Sequence, residues 1–150
     1  MKHIALFVAL FLALNSSRAQ QVDYKLLTSI VSAPDSLAIA QLKAAGYKLN
    51  KDGDFRLIAD NKIVSIISYV KANPQAGQSH TFWAFQVRGK KAYSPIFKRI
   101  KKGATVKAGI HFGKPRVEYK SPEGLYFYPF TDSMFKGLFW IYGSKESLLE

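Results

Sequence analysis

The chain reads as an α+β fold: an antiparallel sheet of about six or seven strands, one main helix over residues 34–45 packed on one face, and a short basic helix over 95–102. Three observations predict it. A helical apolar spacing fills the region before residue 46. The period then shortens to two, with glycine and aspartate turns between short runs rich in Ile, Val, Phe and Tyr. No Pro-, Gly- and Ser-rich linker and no internal repeat divides residues 20–150, which therefore form one domain.

Residues 1–19 stand apart. Lys2 and His3 precede an uncharged, almost wholly apolar run from Ile4 to Leu14, which as a helix would be about 16 Å long, half of a hydrocarbon core. Ser17 and Ala19 then occupy the small-residue positions of a signal-peptidase site. The expectation is a signal peptide cleaved after Ala19 and a protein exported to the periplasm or the extracellular space. The sequence holds no cysteine, so disulfides, thiolate metal sites, cysteine catalysis and a lipid anchor at the cleavage point are excluded.

The elements follow in order. Tyr24, Leu26, Leu27, Ile30 and Val31 predict a first helix over 23–32. Ser32 as cap, Pro34 in the first turn and Asp35 open the next. Leu37, Ala38, Ile39, Leu42 and Ala45 supply its apolar side, and Gly46 suits the left-handed position past its end. Asp52-Gly53 and Asp60-Asn61 are turn signals that separate strands over 47–49, 54–59 and 62–71. In "SHTFWAFQVRG", Thr81, Trp83, Phe85 and Val87 alternate onto a core face, and His80, Phe82, Ala84, Gln86 and Arg88 onto the other. Ser94 as cap, Pro95 at the first helical position and Gly103 past the end predict the 95–102 helix, with Ile96, Phe97 and Ile100 on its apolar stripe. Further strands are expected over 105–112, 115–120, 125–130 and 137–142.

Without residues 1–19 the chain carries 20 basic and 10 acidic side chains, and the basic ones are 16 lysines against 4 arginines. Lysine is a strongly hydrated point charge without the planar fork of arginine, so this balance favours diffuse attraction over geometric readout. The segment "FKRIKKG" places four cations in seven positions. Together with Lys90 and Lys91, and extended by Lys107, it forms the candidate ligand-binding set: Lys90, Lys91, Lys98, Arg99, Lys101 and Lys102. The partners this charge implies are anionic polysaccharide, lipid head groups or acidic protein, with nucleic acid possible but not specifically read. A purely structural account also fits: a wet helix face whose cations complement the dipole at its C-terminal end.

Catalytic signals are sparse. His80 and His111 fall on the more polar faces of their strands, where both are expected to face solvent. Asp54, Asp60, Glu118, Glu123 and Asp132 are the acids available for a carboxylate pair, and most sit at turns. Aligning Gly53 with the sixth position of a calcium loop puts Lys48 at the first and Ala59 at the twelfth, so that motif fails. No G-x-S-x-G elbow occurs, and no cofactor is implied. The reading is an exported, non-catalytic binding module. The alternatives are a small hydrolase using His80 or His111 with an aspartate, and a protein-interaction or inhibitor module using the aromatic strands "LYFYPF" and "LFWIY".

Overall fold

A computed structural model describes residues 22–76 and 78–149; the signal-peptide expectation therefore lies outside the described residues. Three α-helices, α1 (Tyr24–Ser32), α2 (Asp35–Ala44) and α3 (Lys90–Lys101), accompany eight strands, β1 (Lys48–Leu49), β2 (Asp54–Ala59), β3 (Lys62–Val70), β4 (Phe82–Arg88), β5 (Thr105–His111), β6 (Lys114–Lys120), β7 (Tyr126–Thr131) and β8 (Leu138–Ser144). The fold is α+β with one antiparallel sheet, whose order is β1-β2-β3-β4-β8-β7-β6-β5. The strand count is thus eight, not six or seven. The order reads as two four-strand meanders meeting at β4 and β8, each preceded by helix.

The helices cover one face. Leu26, Leu27, Ile30 and Val31 of α1 are buried against Trp83, Phe85, Phe127 and Ile141 of the central strands. The sequence gives the covering role to the 34–45 helix, but α2 buries only Ala38 and Leu42 and leaves Leu37 half exposed. α1 is the main cover because its consecutive apolar pairs give it the wider stripe. Gly143 shows how closely α1 sits: a Cβ there would lie 2.5 Å from Val31 Cγ2.

Local signals explain the element boundaries. Asp23 caps α1, its Oδ1 accepting from Leu26 N at 2.7 Å. α2 starts at Pro34 with no side-chain cap, and the Ser32 hydroxyl instead donates back to Ser29 O, so Ser32 finishes one helix and does not open the next. The end of α2 is a Schellman motif. Gly46 has φ +90°, and the N–H groups of Gly46 and Tyr47 reach Lys43 O and Leu42 O at 3.0 Å each. Asp60 and Asn61, both at positive φ, turn β2 into β3 as their chemistry predicts.

β4 lies at the centre of the sheet and is buried on both sides. Trp83, Phe85 and Val87 face the helices, while Phe82, Ala84 and Gln86 are equally hidden on the other face. That second face is covered by the β5–β6 hairpin and by residues 145–149. The β5–β6 hairpin is paired along its whole length, but β6 joins β7 at only Tyr119↔Phe127 and Lys120↔Tyr126. Beyond those pairs the hairpin leaves the sheet and folds back over it. The geometry requires this: β5 is four strands from β4, about 19 Å in a flat sheet, yet the His111 ring lies 5.7 Å from the Phe82 ring. Residues 145–149 complete the cover, with Leu148 fully buried.

Candidate functional site

The basic helix is longer than the sequence suggests, running from Lys90 to Lys101 with Gly89 as its N-cap at φ +83°. Ser94 is not the cap and Pro95 is interior, although the sequence places Pro95 at the first helical position. The reason is the apolar stripe, which extends back a full turn. Ala92 and Tyr93 join Ile96, Phe97 and Ile100 in packing on the core, and Tyr93 stacks on Phe139 at 4.2 Å. These contacts outweigh the backbone hydrogen bond that Pro95 cannot donate.

At about 100° per residue, the five packed positions occupy less than half the circumference, and Lys90, Lys91, Lys98, Arg99, Lys101 and Lys102 share the remainder. All six are exposed, along a helix about 18 Å long. Two of them lean on aromatic rings: Lys101 Nζ lies 4.7 Å from the Phe97 ring centre and Arg99 Cζ 5.5 Å from that of Tyr24. The β7–β8 loop brings up a further cation, Lys136, that sequence reading misses. Gly89 N donates to Gly137 O at 2.8 Å, which places the β7–β8 loop beside the start of α3. There Arg88 and Lys136, with Gln86 and Phe135, line a cleft of about 490 Å3. Arg88 was visible as a neighbour of Lys90; Lys136 is 46 residues away from it in sequence, and no local pattern signals it. At the other end Glu123 tempers the field. The Ser121 hydroxyl, first, and the nearby Arg99 hold its carboxyl below the usual range.

The cations at the two ends of α3 carry different information. Lys98, Arg99 and Lys101 in the last turn are what a helix dipole favours. Lys90 and Lys91 in the first turn, where α3 has no acidic residue, oppose it at a cost of about 0.3–1 kcal/mol each. Folding alone gives no reason to put them there.

The histidines divide. His111 is not solvent-facing: it is 3 % exposed, stacked on Phe112 at 4.1 Å and close to Phe82, Tyr128 and Tyr142, because its hairpin folds inward. His80 lines a cleft of about 340 Å3 with Asp35, Tyr69, Lys145 and Glu146. The Asp35 carboxylate there accepts from the Tyr69 hydroxyl at 2.5 Å; burial first, and then this bond, push the Tyr69 phenol up to about 12. Lys145 Nζ donates to Ala33 O at 2.9 Å. No hydrogen bond or ion pair joins the His80 imidazole to a carboxylate among the described residues, so the cleft gathers the groups without linking them.

Of the candidate acids, Asp54 accepts from Ser68 and Asp132 from Trp140, Met134 N and Phe135 N. Glu118 is buried and accepts from the hydroxyls of Tyr128 and Ser147. In the aromatic strands Phe127, Tyr128 and Ile141 have no exposed surface, while Tyr126, Phe130, Phe139, Trp140 and Tyr142 are half-buried. Among the described residues no cluster of His, Cys, Asp and Glu could hold a metal, and no helix is long and apolar enough to cross a membrane. Compared with protein-family models, curated proteins and solved structures, the chain matches none.

Proposed function

We propose that the protein is an exported, non-catalytic binding module that docks electrostatically on a polyanionic component of the cell envelope through the outer face of α3. The observation that carries this reading is the pair Lys90 and Lys91, exposed in the first turn of a helix whose dipole disfavours them. With Lys98, Arg99, Lys101 and the C-cap Lys102 they place cations at both ends of one helix face, separated by the uncharged residues 92–97. The excess of lysine over arginine suits a ligand of repeated charge over one gripped by a fixed fork.

Binding to heparin, as a model polyanion, is expected to weaken steeply as salt rises. Reversing Lys98, Arg99, Lys101 and Lys102 to Glu is expected to abolish it, and Lys90→Glu with Lys91→Glu to weaken it by a comparable factor per charge. Retention of binding by the four-fold reversal would remove α3 as the docking face. If only the last-turn cations mattered, the argument from the first turn would fail.

A further inference from the structure

The second end of the molecule offers a different surface. β5 is the outermost strand of the sheet, and at seven residues it is a long edge; the opposite edge, β1, has two. Edge strands left this long present a row of unpaired N–H and C=O groups, which proteins ordinarily blunt by shortening, by proline or by covering. Here nothing among the described residues pairs with its free side. One side-chain face of the hairpin carries Val106, Ala108 and Ile110 opposite Tyr119, Val117 and Pro115. Val106 is 58 % exposed, Ile110 49 % and Val117 40 %. The other face carries Thr105, Lys107, Gly109 and His111 opposite Lys120, Glu118, Arg116 and Lys114; His111 and Glu118 are buried where it folds over the sheet, while Lys107, Lys114 and Lys120 stay exposed. The one carboxylate within residues 105–120 is Glu118, which is buried and already held by Tyr128 and Ser147.

We propose that β5 is a receptor edge for an extended acidic segment of a partner protein, which adds to the sheet as a ninth strand. Three independent properties converge on that occupant. Free backbone groups along the edge call for a chain in strand conformation. Apolar Val106, Ala108 and Ile110 call for apolar side chains at every second position of the incoming strand, since cross-strand neighbours share a face. Lys107, exposed between them on the opposite face, calls for an acid at the position of the incoming strand that meets it. A lipid surface would satisfy the apolar and charged groups but leave the edge amides unpaired. A second copy of the chain would bring the same excess of positive charge to the contact. The outer face is linked to α3 through Phe97, whose ring meets that of Tyr119 at 5.7 Å, yet the interaction is of another kind, because it needs backbone pairing as well as charge.

The test uses 15N-labelled protein and a blocked seven-residue peptide alternating valine and glutamate. Two control peptides accompany it, one with alternate backbone amides methylated and one of the same composition with its glutamates contiguous. Amide shifts and slowed exchange are expected within residues 105–111. Affinity should fall at least about tenfold for the methylated peptide, the loss of two or three backbone hydrogen bonds, and Lys107→Glu should weaken the alternating peptide. Equal binding of all three peptides, shifts confined to residues 98–102, or no binding at millimolar peptide would each overturn the proposal. Shifts at 98–102 alone would sink the edge while leaving the α3 reading standing. Loss of heparin binding with β5 pairing intact would do the reverse.

Discussion

The two meanders are built from the same parts and finished differently. In the first, β2, β3 and β4 pair along most of their lengths, and two helices precede the sheet they join. In the second, a single helix precedes four strands, and β6 parts from β7 after two residue pairs. The hairpin then folds over the open face and buries His111 and Glu118. Apolar surface on a sheet has to be covered by something, and the difference shows two ways to do it. One side of this sheet is covered by helices. The other is covered by its own outermost hairpin, β5–β6, and by residues 145–149, at the price of a long free edge.

The largest expected effect tests the helical cover. Leu27 has no exposed surface and packs in the main core, so Leu27→Ala should cost about 2–5 kcal/mol. Val106→Ala on the outer hairpin face should stay within about 0.5 kcal/mol. Denaturant midpoints at constant m-value would measure both. Equal losses would mean that the hairpin's outer face is packed and not a free surface.

Next is the contact between α1 and the centre of the sheet. Gly143→Ala would drive a methyl group into Val31 Cγ2, and because a β-branched side chain turns away with difficulty, about 1–3 kcal/mol should be lost. Val31→Ala in the same chain should restore part of it. If the pair is simply additive, the clash is not the cause.

The folded-back cover is tested by Tyr128→Phe. The Tyr128 hydroxyl donates to Glu118 and accepts from Leu148 N at 2.5 Å, and burial, then the Glu118 bond, raises its pKa well above the ordinary range. Removing it leaves a buried carboxylate with one hydroxyl donor fewer and the Leu148 N–H unpartnered, about 1–3 kcal/mol. The loss should be local. Hydrogen exchange is expected to accelerate in β5, β6 and residues 145–149 while β2 and β3 keep their protection, and uniform acceleration would show that the two halves do not differ in this way.

What the sequence revealed follows from how far apart the deciding residues lie. The strands were legible because alternation and turns are local: Asp60-Asn61 and Gly46 each do what their backbone preferences dictate. The start of α3 is hidden in the sequence because Ser94-Pro95 resembles a helix start more than Gly89 does, and only packing on Phe139 shows that Ala92 and Tyr93 belong to the stripe. His111 was placed on the correct face of its strand, but that face is covered by a fold-back decided where β6 leaves β7. That Lys90, Lys91, Lys98, Arg99, Lys101 and Lys102 share one exposed helix face was legible, since a charged helix face is a sequence pattern. Lys136 was not, because it arrives through a backbone bond between Gly89 and Gly137.

The smallest expected effect concerns the loop that carries Lys136. Asp132 accepts from Trp140 Nε1 at 3.0 Å, Met134 N at 2.8 Å and Phe135 N at 3.0 Å, and the Trp140 bond first, then that of Met134, holds its carboxyl below its ordinary value of 3.8. A carboxyl whose pKa is lowered by folding stabilises the folded state above the unfolded value and loses that contribution as pH falls through the folded one. The Trp140 indole N–H resonance should therefore titrate with a midpoint below 3.8. Asp132→Asn should remove the movement and leave global stability almost unchanged, because the carboxylate is solvated. A midpoint at or above 3.8 would mean that the indole does not select the ionised carboxylate. The loop presenting Lys136 beside α3 would then be held by the Gly89–Gly137 bond and its turn amides alone, and heparin affinity should respond to Gly137 but not to Asp132.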